Sequence, residues 1–438
     1  MWADPPPFVV RARDAVSGPA LHVGGHLKKS KGAYALLLGN YRPTAIIARE
    51  LRARGYRVAV GLDGFERGAE LSRHVDRFWC HPPLDEDGPA FAHALSELLA
   101  RRGDIRLIVP VAENYVRFFA EEDVALPASV TALMVAPELV TTCLDKLRMM
   151  SLAEDVGVPL APFAEVRDQP ELIGEAERIG FPLVIRSVSS THRLFGEKAI
   201  TVADRAGLDR VLPHWPEGHR ALLLQRRASG LRHNLYFAAR AGRIDQLLHV
   251  EIARTDRLDG AGLAVEGATV ATDPDLGRYT AALVAALGYS GIGCAQFLVD
   301  AASGETSFLE INPRFAGNHA IPAACGLGLT ERLLDLCLDP ASSADGPPAP
   351  FRSLRYCWIA GDLLGAKVAW RQGRISALEA VGWLGRMVRA RWRAKLDVGF
   401  DWRDPLPGLA NILDVLPGIG KLTRMRLSRP GLLPKRSF

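Results

Sequence analysis

Residues 293–314 read GCAQFLVDAASGETSFLEINPR, the pattern of two strands joined by a turn. Gln296 lies on the first strand, and Glu310 and Asn312 lie two positions apart on the second, so the latter two face the same way. With DAASGET as the turn, antiparallel pairing places Gln296 opposite Glu310. Because Arg314 continues the row, one face of this hairpin is predicted to carry three oxygen donors beside a guanidinium.

This donor set suits Mg²⁺ bound to polyphosphate, because magnesium takes hard oxygen ligands, usually one or two carboxylates together with substrate phosphates. The planar guanidinium of Arg314 can stabilise a transferring phosphoryl group. The competing interpretation is an ordinary strand pair with a polar outer face. Apolar residues between the polar ones, such as Phe297 and Ile311, favour half-buried strands whose polar face is kept for a ligand.

The length of 438 residues predicts two or three domains, and 48% hydrophobic with 24% charged residues is typical of a soluble globular protein. The six cysteines show no CxxC pair, which indicates a reduced cytoplasmic protein. We find no export signal and no apolar run long enough to span a membrane. The expected location is cytoplasmic, including a peripheral position at the inner face of the membrane.

Hydrophobic periodicity divides the chain into regions of different pattern. Residues 1–30 form a lead-in. From residue 33 a strand, a helix and a second strand follow within about 30 residues, which predicts a βαβ unit with a parallel crossover and hence a small Rossmann-like domain. Its first βα turn, GNYRPTA, lacks GxGxxG and is interpreted as a structural turn.

Glu113 follows the strand IRLIVPV at the edge where open α/β sheets bind ligands. Both substrate contact and an ordinary surface carboxylate remain open for it.

Five motifs occur in a recognisable order along the chain: DK at 145–146, PLVIR at 182–186, LLLQ at 222–225 with a following glycine, CAQF at 294–297 and FLEINPR at 308–314. This order resembles the ATP-grasp superfamily over about residues 33–340. The likeness is to the ATP-binding halves of the carbamoyl phosphate synthetase large chain and extends to carboxylate–amine ligases. The implied fold class is α/β and α+β, with a pre-ATP-grasp Rossmann-like domain at 31–136 and a two-lobed ATP-grasp domain at 137–340. The lid lobe would span about 152–222, and a linker with a basic, Trp-rich helical region would occupy 341–438.

The resemblance also implies ATP and Mg²⁺ as cofactors, with two metal ions and Mn²⁺ as a substitute. It assigns metal binding to Gln296, Glu310 and Asn312, cofactor binding to Lys146, Arg186, Lys198, Leu224, Gln225, Arg226 and His233, and catalysis to Arg314 and Arg186.

The sequence departs from the family pattern in the lid and the hinge. The lid loop is usually glycine-rich, but here it reads SVSSTHRLFGEKA, with one glycine and several hydroxyl side chains. Arg226 replaces the glutamate expected after Gln225, and His233 or Asn234 stands where an acidic residue usually binds the ribose. These differences concern the contacts with adenosine and leave the metal face intact.

The implied activity is that of an ATP-dependent ligase, which activates a small-molecule carboxylate as an acyl phosphate for attack by an amine. Two alternatives remain: a nucleotide-binding regulatory protein that has lost catalysis, and a scaffold that binds a membrane or polyanion through its C-terminus. The metal-binding set favours the enzyme. A homodimer is compatible with the sequence.

The region from Phe351 to the end holds 17 Lys or Arg against 6 Asp or Glu, and five of the eight tryptophans. Within 377–397, apolar residues recur at helical spacing: Leu378, Val381, Leu384, Val388 and Trp392. Arg386, Arg389, Arg393 and Lys395 lie off that stripe, so we predict a basic amphipathic helix. It could pack on the ligase core with its arginines in water. Alternatively, it could meet an anionic membrane surface or an anionic carrier-linked substrate. The region lacks the aromatic and glycine repeats of RNA modules, so nucleic acid is not an expected partner.

Overall fold

The computed structural model describes residues 32–64, 68–188, 194, 199–214, 221–339, 348–415 and 437–438. The strands in these ranges are β1 Tyr34–Leu38, β2 Arg57–Leu62, β3 Arg77–Cys80, β4 Ile105–Pro110, β5 Thr131–Ala132, β6 Phe163–Val166, β7 Leu183–Ser187, β8 Ile200–Val202, β9 Leu222–Arg226, β10 Leu231–Arg240, β11 Arg243–Thr255, β12 Ala264–Val270, β13 Gly291–Val299, β14 Thr306–Asn312, β15 Arg355–Cys357 and β16 Leu396–Asp397.

The α-helices in the same ranges are α1 Arg42–Ala53, α2 Gly88–Arg101, α3 Glu113–Glu121, α4 Pro137–Leu144, α5 Lys146–Asp155, α6 Gln169–Ile179, α7 Arg205–Val211, α8 Pro274–Ala286, α9 Ala320–Cys325, α10 Leu329–Leu338, α11 Ile359–Arg371, α12 Ala377–Arg393 and α13 Pro405–Val415. None of the helices in the described part of the chain is long and apolar enough to cross a bilayer.

The first sheet is parallel throughout, in the order β3-β2-β1-β4-β5. All five residues of β1 are buried, as expected for the central strand of a parallel sheet covered by helices. The predicted βαβ unit is confirmed by the parallel pairing of β1 with β2 on either side of α1. This sheet places the start of α3 at the carboxyl end of β4.

The second sheet holds the hairpin and has the order β14-β13-β10-β11-β12-β15-β16. Its pairings are antiparallel except for the last, between β15 and β16. The predicted register is confirmed at its most important pair, because Gln296 stands opposite Glu310. One detail of simple alternation is wrong: Phe297 pairs with Phe308, so Leu309 is an extra residue in β14.

The third sheet, β6-β9-β7-β8, is antiparallel and forms a smaller lobe with its own core. Alternate residues of β7 and β9 point into that core, among them Leu183, Ile185, Leu222 and Leu224. Residues on the other face of these two strands, including Arg186 and Gln225, are therefore turned away from the core of this lobe. Of the predicted lid loop, SVSSTHRLFGEKA at 187–199, the described residues are Ser187, Val188, Leu194 and Ala199.

The predicted basic helix is present as α12 and begins at a capping box formed by Ser376 and Glu379. The side chains of α12 that are buried are those of Trp383 and Ala390. The predicted apolar stripe is instead exposed along its whole length, from 41% at Leu384 to 84% at Trp392. The helix therefore packs on the protein through the face opposite the stripe, with Arg386, Arg389 and Arg393 exposed, while contact with an anionic partner stays a prediction.

Candidate active site

The polar face of the hairpin is created by a β-bulge at Leu309. The extra residue lets Phe308 and Ile311 both enter the core beneath the sheet, while Glu310 and Asn312 face the other side. Asn312 Nδ2 donates to Glu310 Oε1 at 2.9 Å, so the two side chains lie together as predicted. Gln296, opposite Glu310, completes a row of three half-buried oxygen donors.

Lys146 is the first residue of α5, and its half-buried ammonium is close enough to Glu310 of the hairpin to be attracted by its charge. Asp145 caps this helix through a bond from the Arg148 backbone N–H at 3.1 Å, while Met149 and Ala153 pack on the core beneath the hairpin. The pKa of Lys146 falls to about 8, mainly because the side chain is buried and next because Arg186 repels its charge; Glu310 acts in the opposite direction. Lys146 therefore lies within electrostatic range of both.

Arg186 reaches the site from β7 of the smaller lobe. Its Nη2 donates to Gln225 Oε1 on β9 at 3.0 Å, which orients the guanidinium, while its buried Nε has no hydrogen-bond partner in the described structure. Burial lowers the pKa of Arg186, and the attraction of Glu310 opposes that shift. Arg186 of the smaller lobe is therefore close enough to Glu310 of the hairpin for their charges to attract each other.

Arg314 is held by the first domain. Its Nη2 lies 2.8 Å from Glu113 Oε2, at the start of α3. Burial acts to lower the pKa of Arg314, but Tyr41 and Glu113 outweigh it and hold the pKa above its ordinary value, so this guanidinium stays charged. Glu113 therefore lies beside Arg314 instead of being an isolated surface carboxylate, and contact between Glu113 and a substrate stays a prediction.

Three of the other predicted residues are placed differently. The Leu224 side chain is fully buried in the core of the lid lobe and faces away from Gln225 and Arg186, because residues alternate along β9. The Arg226 side chain is exposed at the end of the same strand. Lys198 lies outside the described residues.

The prediction that places His233 at the cofactor is wrong, because its side chain lies on the face of the sheet opposite to Gln296. His233 pairs with Phe297, whose ring is in the core beneath the hairpin, whereas Asn234 pairs with Gln296 on the polar face. One ring nitrogen of His233 lies 2.8 Å from a ring nitrogen of His249, and burial lowers the pKa values of both imidazoles. Of the two residues considered for the ribose, Asn234 is the one on the polar face.

Arg42 is a site residue that the sequence did not single out. It opens α1 in the GNYRPTA turn, and its Nη1 donates to Asn318 Oδ1 at 2.9 Å, four residues beyond Arg314. The guanidinium lies 3.5 Å above the ring of Trp358, and no ion pair joins it to a carboxylate of the described residues. Burial lowers its pKa to about 10, although Tyr41 and Asp256 act to raise it. The sequence feature that could have identified Arg42 is its position just after a predicted parallel strand, at the carboxyl end where α/β sheets bind ligands.

Leu223 is a second residue that the sequence analysis did not single out. It is fully buried, pairs with Arg186 and shares its face of the lid sheet. The sequence feature that could have identified Leu223 is the alternation within LLLQ. It puts Leu223 and Gln225 on the same face of the strand and Leu224 on the other.

The donor set fits Mg²⁺ and phosphate. One carboxylate and two amide oxygens are hard ligands of the kind magnesium takes. No group of three or more His, Cys, Asp or Glu side chains in the described ranges could hold a metal ion, which is consistent with a set containing a single carboxylate. The buried Nε atoms of Arg186 and Arg314 lack partners among the described residues, and unsatisfied cationic donors suit phosphate oxygens.

Comparison with known proteins agrees with this arrangement. The family profile described as carbamoyl-phosphate synthase L chain, ATP binding domain, matches residues 269–338, which include the hairpin. No curated protein sequence gives a significant match.

Several solved structures share the fold. Biotin carboxylase from Campylobacter jejuni has a TM-score of 0.56 and 16% identity, covering 71% of this chain and 72% of that one. N5-carboxyaminoimidazole synthetase from Staphylococcus aureus, complexed with ADP, has a TM-score of 0.56 and 13% identity, covering 75% and 83%. L-amino acid ligase from Bacillus licheniformis has a TM-score of 0.53 and 16% identity, covering 70% and 74%.

The chain therefore has the ATP-grasp fold, as its motifs predicted. Within that class, the part that carries the hairpin matches the ATP-binding domain of the carbamoyl phosphate synthetase large chain.

Proposed function

We propose that this protein is an ATP-dependent ligase that activates a carboxylate as an acyl phosphate and joins it to an amine. The observation that carries the proposal is the convergence of Lys146 and Arg186 on the face that holds Gln296, Glu310 and Asn312. A strand pair whose polar face served only solubility would not have two half-buried cations from other elements beside it. Burying a charge costs free energy unless the charge has a partner or a function.

Each residue has a role in this reaction. Lys146 and Arg186 would bind the phosphates of ATP, and Leu223 would line the nucleotide cleft on the lid face, since ligand pockets are mostly apolar. Gln296, Glu310 and Asn312 would hold Mg²⁺, which neutralises charge on the phosphates. Arg314, oriented by Glu113, would stabilise the charge that develops as the phosphoryl group is transferred.

We propose that Arg42 binds the carboxylate of the acceptor substrate. A half-buried guanidinium without an ion-pair partner in the described structure is suited to an anion. Its stacking on Trp358 fixes the plane of the guanidinium, and its bond to Asn318 attaches it to the loop that also carries Arg314. The carboxylate would then lie between the two arginines.

The reaction balances with these groups. A carboxylate oxygen attacks the γ-phosphorus of ATP, the bond to the β-phosphate oxygen breaks, and ADP leaves. The amine then attacks the acyl carbon, inorganic phosphate leaves, and one proton is released. Since phosphoryl transfer asks a protein mainly for positioning and charge neutralisation, no side-chain nucleophile is required.

We further propose two Mg²⁺ ions, with Mn²⁺ as a substitute. Three oxygen-donating side chains exceed the one or two that a single hydrated Mg²⁺ usually takes from protein. The substrates are proposed to be small molecules, by analogy with the L-amino acid ligase that shares the fold. Residues 377–397 are proposed to meet an anionic partner, and a homodimer is an additional expectation that light scattering would test.

Phosphate release from the purified chain with Mg²⁺ and ATP, screened over amino acids and small carboxylates, tests the ligase. Release should require both ATP and an acceptor, and Glu310→Ala should abolish it while the protein stays folded. Glu305→Ala, in the exposed turn of the same hairpin, is the matched control and should retain activity. Undiminished release by Glu310→Ala would overturn the assignment. ATP binding without any acceptor-dependent release would favour the regulatory alternative.

A further inference from the structure

Helices α11 and α13 bury mostly small residues, and all three C-terminal helices expose large apolar ones. Helix α11 buries Gly361, Gly365, Ala366 and Ala369, and α13 buries Pro407, Gly408 and Ala410. The exposed apolar side chains of the three helices are Leu364, Val368, Trp370, Leu378, Val381, Leu384, Val388, Trp392, Leu406, Leu409 and Leu413. Because α12 and α13 both pack against α11, these exposed apolar side chains belong to one part of the molecule, a distribution typical of an interaction surface.

Helix α12 has the geometry of an interfacial helix. At about 100° per residue, its stripe from Leu378 to Trp392 lies about 170° from the face that buries Trp383 and Ala390. By the same measure Arg389 and Arg391 border the stripe on its two sides, and Arg393 lies next beyond Arg389. Arg386 lies nearer to the buried face, with its guanidinium 5.9 Å from the centroid of the Trp383 ring. Long cationic side chains beside an apolar stripe can extend to lipid headgroups while their stems lie on the apolar layer.

The cations of this surface are available to a partner. Among the described residues, no ion pair within 4.0 Å joins Arg386, Arg389 or Arg393 to a carboxylate. The nearby acidic residues are used elsewhere: Asp362 pairs with Arg254 and Glu379 caps α12. Arg389 and Arg393 therefore add unpaired positive charge beside the apolar stripe, whereas Arg391 lies within electrostatic range of Asp397.

The helices are fixed to the body of the protein, so this surface is rigid. Asp362 of α11 is buried, receives a bond from Trp383 Nε1 at 2.6 Å, and forms an ion pair with Arg254 of β11 at 2.6 Å. The residue before α11 is Trp358, on which Arg42 stacks. The surface is thus connected to the proposed acceptor side of the active site.

We propose that α11, α12 and α13 form a docking surface for an anionic lipid bilayer, with the α12 stripe entering the headgroup layer. Charge excludes the two nearest competitors. A second copy docked by a two-fold axis would bring the arginines of both helices together. Residues 416–436 hold six Lys or Arg and no Asp or Glu, so they do not complement the surface either. An anionic bilayer satisfies both the apolar stripe and the flanking cations.

This inference rests on the proposed anionic partner and not on the ligase chemistry. The test is co-sedimentation of the full chain with vesicles of phosphatidylcholine alone and with added phosphatidylglycerol. Binding is expected only with phosphatidylglycerol and should weaken as salt rises, since salt screens these charges. Absence of binding to the anionic vesicles, or equal binding to both kinds, overturns the proposal.

Two double variants separate the contribution of the cations to vesicle binding from that of the apolar stripe. Arg389→Ser with Arg393→Ser should weaken anionic-vesicle binding by about 25-fold, since each cation near such a surface contributes about fivefold. Val388→Ser with Trp392→Ser should weaken it by at least about tenfold. Phe351→Ser, which is also exposed and precedes β15, and Arg205→Ser on α7 are the controls and should bind normally. Equal losses in the controls contradict the proposal.

The competing occupants give distinct results. If light scattering shows a dimer that the Val388/Trp392 variant converts to a monomer, and no vesicle binding occurs, a second copy is the occupant. If only a chain lacking 416–436 binds vesicles, that segment covers the surface. Either result overturns the bilayer proposal. Phosphate release in vesicle-free solution should be the same in all these variants, so loss of binding with retained release separates this proposal from the ligase.

Discussion

Glu113 and Arg314 form an ion pair of 2.8 Å between residues 201 positions apart. The carboxylate begins α3 of the first domain, and the guanidinium follows the second strand of the hairpin. The pair is partly buried, with side-chain exposures of 34% and 18%. The ion pair therefore attaches Arg314, which would meet the transferring phosphoryl group, to the first domain. The proposed metal ligands belong to the second sheet instead.

Replacing Glu113 should therefore impair positioning rather than nucleotide binding. We expect Glu113→Gln to lower kcat by about 10- to 100-fold, the size of effect that small displacements in an active site cause. The affinity for Mg-ATP, measured by calorimetry, should change little. Partial recovery of kcat in Glu113→Asp is expected, and a loss confined to ATP affinity would contradict a positioning role.

Lys146 is predicted to lower stability in the absence of nucleotide. Its pKa is about 8 when folded and 10.5 in the ordinary state, so the folded form binds the proton less well. The free energy of unfolding should therefore rise with pH between about 8 and 10.5 through this group. Lys146→Met should lack this rise and should have a higher Tm at pH 7, by about 2 °C or more.

The control for this change is Lys395→Met, at an exposed site just beyond α12. It should follow the wild-type pH dependence of Tm. A Lys146→Met variant that melts lower than wild type at pH 7, with the same slope above pH 8, would show that burial of this ammonium is not costly.

The same group should make ATP binding depend on pH. Bound phosphate favours the charged lysine, so the affinity for Mg-ATP is expected to fall as pH rises above about 8, where Lys146 loses its proton. Lys146→Met should bind ATP weakly and without this pH dependence. Calorimetric titrations at pH 7, 8 and 9 measure both, and identical pH profiles for the two proteins would contradict the assignment.

Arg42 should determine the affinity for the acceptor. We expect Arg42→Ala to raise the KM for the carboxylate by about tenfold or more, since charge-assisted bonds contribute about 1.5–3 kcal/mol. The shift in Tm caused by Mg-ADP should be unchanged. Arg49→Ala, on the exposed side of the same helix, is the control and should leave both quantities unaltered. A loss of the Mg-ADP shift in Arg42→Ala would move this residue to the nucleotide site.

Glu50 is predicted to contribute stability that is lost in acid. Its Oε2 accepts from Thr330 at 2.6 Å and lies 3.0 Å from His319 Nε2, joining α1 to the loop and helix that follow the hairpin. Burial acts to raise the pKa of Glu50, but His319 and Thr330 bring it below its ordinary value. The contribution is therefore present above the unfolded pKa of about 4.3 and is lost as pH falls through the folded value.

Glu50→Gln should lower the free energy of unfolding by about 1–3 kcal/mol at pH 7, with a difference from wild type that shrinks below about pH 4. Thermal melts across pH 3–7 measure it. Glu97→Gln, an exposed position on α2, is the comparison and should show no such dependence. A difference that grows in acid would contradict the assigned sign.

The sequence by itself determined the hairpin, its turn and the pairing of Gln296 with Glu310. These depend on local alternation and turn chemistry, which residues close in the chain specify. The motif order determined the ATP-grasp fold for the same reason, since each motif is a short segment of strand or helix.

Tertiary structure alone decided the rest. The bulge at Leu309 depends on how Phe308 and Ile311 fill the core beneath the sheet, and the face of His233 depends on the register of β10 with β13. The contacts of Arg314 with Glu113 and of Arg42 with Trp358 join distant segments, whose approach is set by packing between domains. Periodicity predicted the stripe on α12, but only packing of its opposite face left that stripe exposed, because a helical pattern does not specify which face meets the core.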